Sequence, residues 1–259
     1  MKICVLVKQV PNEDAVIRIS PDKGSIIEDN ITFCTNEPDT YALEEALLIK
    51  ENDSQCEVVV CTLGKPEATQ ILKEALAKGA DRAMLINSNQ VSELDPLAQA
   101  KVFSEILKKE NFDLILSGLQ SNDVGYAQTG LLIAELLDMT HASLVVGTEI
   151  KENGKIRVKK ELEGGWFQWA EMELPSSLSI QSGLNKPRYA SLKGIMMSKK
   201  KTIDTYDLNA GDIQIPQSSI QFNDFYIPQK EKETKFLDGD TDTIVSELIK
   251  VLQNDVKAI

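Results

Sequence analysis

The sequence predicts an α/β fold: a parallel sheet with flanking helices, an antiparallel strand addition and a C-terminal arm. Three observations carry this. Over about the first 140 residues, short β-branched runs alternate with longer amphipathic ones, the pattern of parallel βαβ units. From about Ser143, strand follows strand with Gly-containing turns between them. Beyond residue 202 the periodicity weakens until one last amphipathic run near the end.

Ile3 to Val7 opens the sheet. Asn36 stands as N-cap of the first helix, Pro38 takes a first-turn position where its missing N–H costs nothing, and Ala42, Leu43, Ala46, Leu47 and Ile49 keep a helical period to about Lys50. Glu57 to Thr62 is the second strand. The helix from near Pro66 carries Ile71, Leu72, Ala75 and Leu76 and ends at Gly79. Arg82 to Ile86 forms the third strand and Asp113 to Ser117 the fourth. Between them a helix from about Asp95 to Lys109 presents Val102, Phe103, Ile106 and Leu107, and a further helix starts near Ala127 and carries Leu131 to Leu137. Leu144 to Ile150, Ile156 to Leu162 and Trp166 to Leu174 alternate, and Ser177 to Gln181 follows them, the group reading as the antiparallel addition. We therefore expect one α/β domain over 1–201 and an extended arm over 202–259. The arm ends in a helix from Thr241 to about Val256 that is too short to form its own core, so it should pack on something else, such as another subunit.

With 259 residues, 42% of them hydrophobic, the chain can bury a sizeable core. No apolar run approaches the roughly 20 residues needed to span a bilayer. The opening MKICVLVKQV enters a strand at once and is interrupted by Lys8, unlike a signal peptide, so the mature chain is expected to start near Met1. A net charge of -12 argues against nucleic acid as a partner, since phosphate neutralisation needs a basic face. Cys4, Cys34, Cys56 and Cys61 show no CxxC spacing and read as small hydrophobes in a reducing compartment. The single histidine, His141, reads as a local loop or packing residue, and no metal-ligand cluster, catalytic triad, GxGxxG or GxxxxGK[ST] is present.

Two segments invite function. The turn after the fourth parallel strand, Ser117 to Gly130, is small and polar and leads into a helix. Ligands of open parallel sheets bind outside the carboxyl ends of the strands, where a helix N-terminus offers N–H groups to an anion; the alternative is an ordinary loop capped by Thr129 or Asp123. Residues 174–203 contain no Asp or Glu but six Lys or Arg, mixed with Leu192, Ile195, Met196 and Met197, which suits a partner that is acidic at its rim and apolar at its centre; the alternative is a solvated helix end.

Three sets of residues carry a resemblance. The first is Val7-Lys8-Gln9-Val10, then Asn36 and Ala42-Leu43-Glu44-Glu45-Ala46. The second is Ala77-Lys78-Gly79-Ala80-Asp81-Arg82, then Gly118-Leu119-Gln120-Ser121 and Gln128-Thr129-Gly130. The third is Lys160-Glu161-Leu162-Glu163-Gly164-Gly165, then Leu174-Pro175 and Leu184-Asn185-Lys186-Pro187-Arg188-Tyr189-Ala190-Ser191-Leu192. In this order the chain resembles the β subunit of the electron transfer flavoproteins over about residues 1–203, in its housekeeping, AMP-binding branch and similar to the methylotroph type.

The resemblance implies an adenine nucleotide hydrolase-like fold and a non-enzymatic electron carrier. It implies a heterodimer with an α subunit that holds most of the FAD. Electrons would pass from flavoprotein dehydrogenases to a quinone-linked oxidoreductase. AMP would lie against Leu6, Asn36, Glu37, Pro38, Asp39, Leu63 and the run Ser121, Asn122, Asp123, Val124, Gly125, Tyr126, Ala127, Gln128, Thr129, Gly130, Leu131 and Leu132. Segment 184–201 would be a recognition loop with Leu192 as its anchor and Tyr189, Lys193, Ile195 and Met196 beside it. Glu161 would engage a basic residue of the flavin domain. The expected compartment is the bacterial cytoplasm, with the mitochondrial matrix as the eukaryotic counterpart. Two alternatives stay open: an electron-bifurcating relative with a second FAD in place of AMP, and a stand-alone adenine nucleotide binding or hydrolysing protein.

Overall fold

The central strand explains the rest of the architecture. A computed structural model describes residues 1–89, 94–210, 216–220, 222–228 and 234–258. In it, β1 (Lys2–Leu6) lies between β4 (Glu57–Gly64) and β6 (Leu114–Gly118), parallel to both. Side chains on successive residues point to opposite faces of a strand, and both faces of β1 are covered, so its sequence is apolar from Ile3 to Leu6. Ile3 and Val5 join a core with Leu43 and Leu47 of α1 (Glu37–Asn52) and Ile71 and Leu72 of α2 (Thr69–Lys78). Cys4 and Leu6 join a second core with Val102, Phe103 and Ile106 of α3 (Pro96–Leu107) and Ile133 of α4 (Thr129–Leu136). The result is a sheet with a helical layer on each face.

The remaining strands are β2 (Gln9–Pro11), β3 (Phe33–Thr35), β5 (Arg82–Asn87), β7 (Thr140–Lys151), β8 (Lys155–Glu161), β9 (Phe167–Glu173), β10 (Ser176–Ile180) and β11 (Ile203–Asp207). The main sheet has nine strands in the order β11-β5-β4-β1-β6-β10-β7-β8-β9, while β2 and β3 pair separately. Strands from β11 to β7 run parallel, and β8 and β9 are antiparallel additions beyond β7. The chain builds leftward from β1 through β4 to β5 and then returns to the other side of β1 with β6. The crevice at the carboxyl ends of β1 and β6 is thus the topological switch point.

Several expectations change. The strand expected over Ser177 to Gln181 is not part of an antiparallel meander. As β10 it is inserted parallel between β6 and β7, where all five of its residues are buried. Residues 203–207, expected at the start of the arm, form β11, which pairs with β5 and makes one edge of the main sheet. His141 lies in β7 rather than in a loop, with Nε2 2.9 Å from the Glu135 carboxylate. The recognition segment contains a short helix, α5 (Leu192–Ser198), packed on α2.

At the amino ends of the strands, Arg82 ties three elements together, reaching Glu110 at 2.6 Å and Asp204 of β11 at 2.7 Å, while Lys2 joins Glu110 at 2.5 Å. The last helix, α6 (Thr241–Val251), is capped by Asp240, whose carboxylate accepts the Thr243 N–H at 2.9 Å. No residue of α6 is buried, and Val245, Leu248 and Ile249 stay exposed. None of the described helices is long and apolar enough to cross a membrane.

Candidate functional site

Polar groups at the switch point are spent on each other to shape a cleft. Asp39, in the first turn of α1, is only 6% exposed, and its carboxylate accepts the Lys8 N–H just beyond β1 at 2.7 Å and the Gly118 N–H at the end of β6 at 3.0 Å. One side chain thereby fastens two strand ends to one helix. Gly118 makes room for it: a Cβ at this position would come within 2.5 Å of the Asp39 carboxylate and 2.6 Å of the Pro38 carbonyl carbon. Burial raises the Asp39 pKa from 3.8 to about 7, opposed by its hydrogen bonds from Lys8, Asn36 and Gly118.

Asn36 is positioned as N-cap, but its side chain does not cap α1. Instead Nδ2 donates to the Gln120 carbonyl at 3.0 Å and Oδ1 accepts the Asn122 N–H at 2.9 Å, so it holds the 119–128 loop against α1. Lys8 completes the closure, with Nζ 2.7 Å from Asp123 and 3.3 Å from the Ser121 hydroxyl. Burial works to raise the Asp123 pKa, yet the hydrogen bonds from Lys8 and Ser121 hold that carboxyl below the usual range. Neither Asp123 nor Thr129 caps α4: Asp123 pairs with Lys8, and Thr129 is the first helical residue.

The cleft is lined by Leu6, Asn36, Asp39, Leu63, Ser121, Val124, Tyr126, Ala127, Gln128, Thr129 and Gly130, all expected from the sequence. Glu37, Pro38, Asn122, Asp123, Gly125, Leu131 and Leu132 lie in the same elements but outside the lining. Ser117 to Gln120 also line it and belong to the turn singled out from the sequence, whereas sequence reasoning missed Val7 and Lys8, and Pro96, Gln99 and Phe103 of α3. The last three were available in principle. In a parallel α/β layer a crossover helix begins at the carboxyl ends of the strands, so one face of its first two turns borders the crevice. The first helical bond of α4 runs from Leu132 N to Gln128 O, which leaves the preceding amides free of intrahelical partners at the cleft.

The second site is the surface over α5. Tyr189 is 94% exposed and Leu192 84%, with Ile195, Met196 and Met197 exposed beside them. Lys186, Lys193, Lys199 and Lys200 are exposed around this patch. The other two basic residues are not rim. Arg188 is ion-paired to Glu44 and Glu51 of α1, and Lys201 turns inward to the Leu76 and Ala80 carbonyls at the end of α2, at 3.0 and 2.5 Å.

The electron transfer flavoprotein domain model matches residues 23–210. The chain belongs to the electron transfer flavoprotein β-subunit family. It is 37% identical over 260 residues to electron transfer flavoprotein subunit beta of Methylophilus methylotrophus, covering 98% of this chain and 97% of that relative. Against the subunit beta of Bacillus subtilis (strain 168) the identity is 32% over 263 residues, covering both chains fully. The Caffeyl-CoA reductase-Etf complex subunit CarD of Acetobacterium woodii is 36% identical over 224 residues, covering 86% of this chain and 84% of that relative. Subunits of this family are electron-carrier partners and not enzymes. In this family member Glu161 stands at the end of β8, well away in sequence from the α5 patch, and accepts a hydrogen bond from Gln181 Nε2 at 3.0 Å.

Proposed function

We propose that the chain pairs with an FAD-holding α subunit and carries electrons from flavoprotein dehydrogenases to a quinone-linked oxidoreductase, with AMP in the switch-point cleft. The observation that supports the AMP reading most directly is the cleft's division of labour. Leu6, Leu63, Pro96 and Phe103 offer apolar walls suited to an adenine ring. The amides opening α4, with Thr129 and Ser121, offer donors suited to a phosphate, and Lys8, the one cation among the described lining residues, reaches the Ser121 hydroxyl. FAD, when bound by the complex, supplies the redox chemistry. This chain's residues bind, orient and dock.

The docking reading assigns Leu192 as an apolar anchor, with Tyr189, Ile195 and Met196 around it and Lys193 on the rim. Glu161, half-buried at the end of β8, is assigned to contact the flavin domain. The exposed apolar face of α6 is assigned to the α subunit, with 1–201 as the nucleotide-binding unit and 202–259 as the arm, although β11 remains part of the main sheet. The bacterial cytoplasm is the proposed compartment, with the mitochondrial matrix as its counterpart in eukaryotes.

Purification with the α subunit, followed by release and counting of nucleotides, tests the assignment. One FAD and one AMP per heterodimer are expected. Two FAD and no AMP would replace the AMP assignment with a bifurcating one, and a colourless monomer that binds ATP would overturn the carrier reading.

A further inference from the structure

Between Ile180 and Leu192 the chain crosses α1 without regular secondary structure, and side chains hold it there. Asn185 Nδ2 donates to the Tyr41 carbonyl and to Glu45 Oε2, each at 3.0 Å, and Thr148 of β7 donates to the other Glu45 oxygen. Arg188 does more. Its Nε and Nη2 reach the Glu44 carboxylate at 2.8 to 3.1 Å, its backbone N–H donates to the same carboxylate at 3.0 Å, and Nη1 reaches Glu51 at 2.6 Å. Tyr41, Glu44 and Glu45 share one face of α1, and Glu44 is only 5% exposed. At the far end of α5, Lys201 is fixed to the carbonyls ending α2, and Gly194 lies so close to α2 that a Cβ there would meet the Ala77 carbonyl oxygen at 2.1 Å. The exposed residues Tyr189, Leu192 and Met196 therefore sit between two anchored points.

We infer that Arg188 is a positioning residue for electron transfer: by forking onto Glu44 and Glu51 it fixes the direction in which Leu192 and α5 meet a partner protein. This rests on the reading of segment 184–201 as a docking surface. Holding an anchor rigidly lowers the ordering cost of binding. A guanidinium can bind a carboxylate through two parallel N–H bonds and still reach a second one, whereas a lysine ammonium supplies only a point charge. If Arg188 acted only as one more rim cation, Lys would replace it without loss and salt would erase the effect of removing it.

The test uses the full heterodimer and, as donor, the flavoprotein dehydrogenase that reduces the wild type fastest in a panel. Arg188→Lys, Arg188→Met and Leu192→Ala are compared for flavin reduction by the dehydrogenase, photochemical flavin reduction, FAD and AMP content, and hydrogen exchange over residues 189–198. Both Arg188 variants are expected to raise KM for the heterodimer about five- to tenfold with kcat little changed, the cost of ordering one or two more side chains on docking. The increase should persist at high salt, exchange over 189–198 should quicken, and photoreduction and nucleotide content should match the wild type. Wild-type KM in Arg188→Lys, or a defect in Arg188→Met that disappears at high salt, overturns the positioning role while Leu192→Ala still raises KM. An unchanged KM in Leu192→Ala overturns the docking reading itself and the inference with it.

Discussion

Asp39→Asn is the most informative single change at the cleft, because the carboxylate both braces and burdens the fold. Burial that lifts its pKa from 3.8 to about 7 corresponds to about 4 kcal/mol lost when the group ionises in the folded chain. The folded chain keeps the proton through a range in which the unfolded chain has released it. Stability contributed at Asp39 is therefore highest below about pH 4, falls as pH rises through the window, and is lost fully above about 7. Asparagine cannot ionise and removes that slope. It has one acceptor oxygen where the carboxylate uses two, so either the Lys8 or the Gly118 amide would face an NH2 group, at about 1–3 kcal/mol.

The two terms cross with pH. The variant should start near parity with wild type at about pH 5, gain roughly 3 kcal/mol on it by about pH 8, and be the more stable protein there. Urea unfolding of both proteins between these limits, followed by fluorescence, reads the difference directly, and ionisations shared by the two cancel. A stability difference that stays flat with pH would refute the claim that burial penalises this carboxylate. Loss of the two-strand brace should still loosen the cleft, so AMP content is expected to fall in the more stable variant.

Other perturbations separate the cleft, the exposed patch over α5 and the frame. Gly118→Ala places a methyl against the backbone of Pro38 and Asp39, and should cost about 1–3 kcal/mol from overpacking and reduce AMP retention; full AMP content would contradict the close approach. Leu192→Ala, at an exposed position, should slow electron transfer from a dehydrogenase in stopped-flow assays while leaving FAD content, AMP content and melting temperature unchanged. Arg82→Met leaves Glu110 and Asp204 without their shared cation and should destabilise the chain by about 1–3 kcal/mol in urea unfolding, with AMP content intact because the cluster lies at the opposite ends of the strands.

What the sequence disclosed depended on whether a segment's partners were near it in the chain. The parallel units of β1, β4, β5 and β6 were legible because each strand is buried on both faces and each helix shows one apolar stripe. Strand β10 has the same pleat whether its neighbours are parallel or antiparallel. Its sequence follows a hairpin, yet it joins β6, whose residues lie some sixty positions earlier, and nothing local records that choice. Strand β11, Ile-Asp-Thr-Tyr-Asp, is a half-exposed edge and alternates too weakly to stand out from a polar arm. Asn36 and Asp39 were read as parts of the cleft, but not as its fasteners, because their partners Gln120, Asn122, Lys8 and Gly118 come together only when the strand ends meet.

The acid-free segment 174–203 shows how a charge pattern divides once its partners are known. Its positive excess in a chain of net charge -12 suggested a surface looking outward for an acidic partner. Part of that partner is already inside the molecule. Helix α1 carries five carboxylates and one lysine, and Glu44 and Glu45 interrupt its apolar face where a purely packing helix would place aliphatic residues. Both are buried, so each needs a designated donor, and segment 185–188 supplies them through Asn185 and Arg188. The same helix begins at the cleft with Asn36 and Asp39. Its carboxylates thus shape the cleft at one end and hold segment 185–188 farther along. Arg188 and Lys201 are consumed in fixing the segment, and the four exposed lysines remain as the rim that a partner could meet.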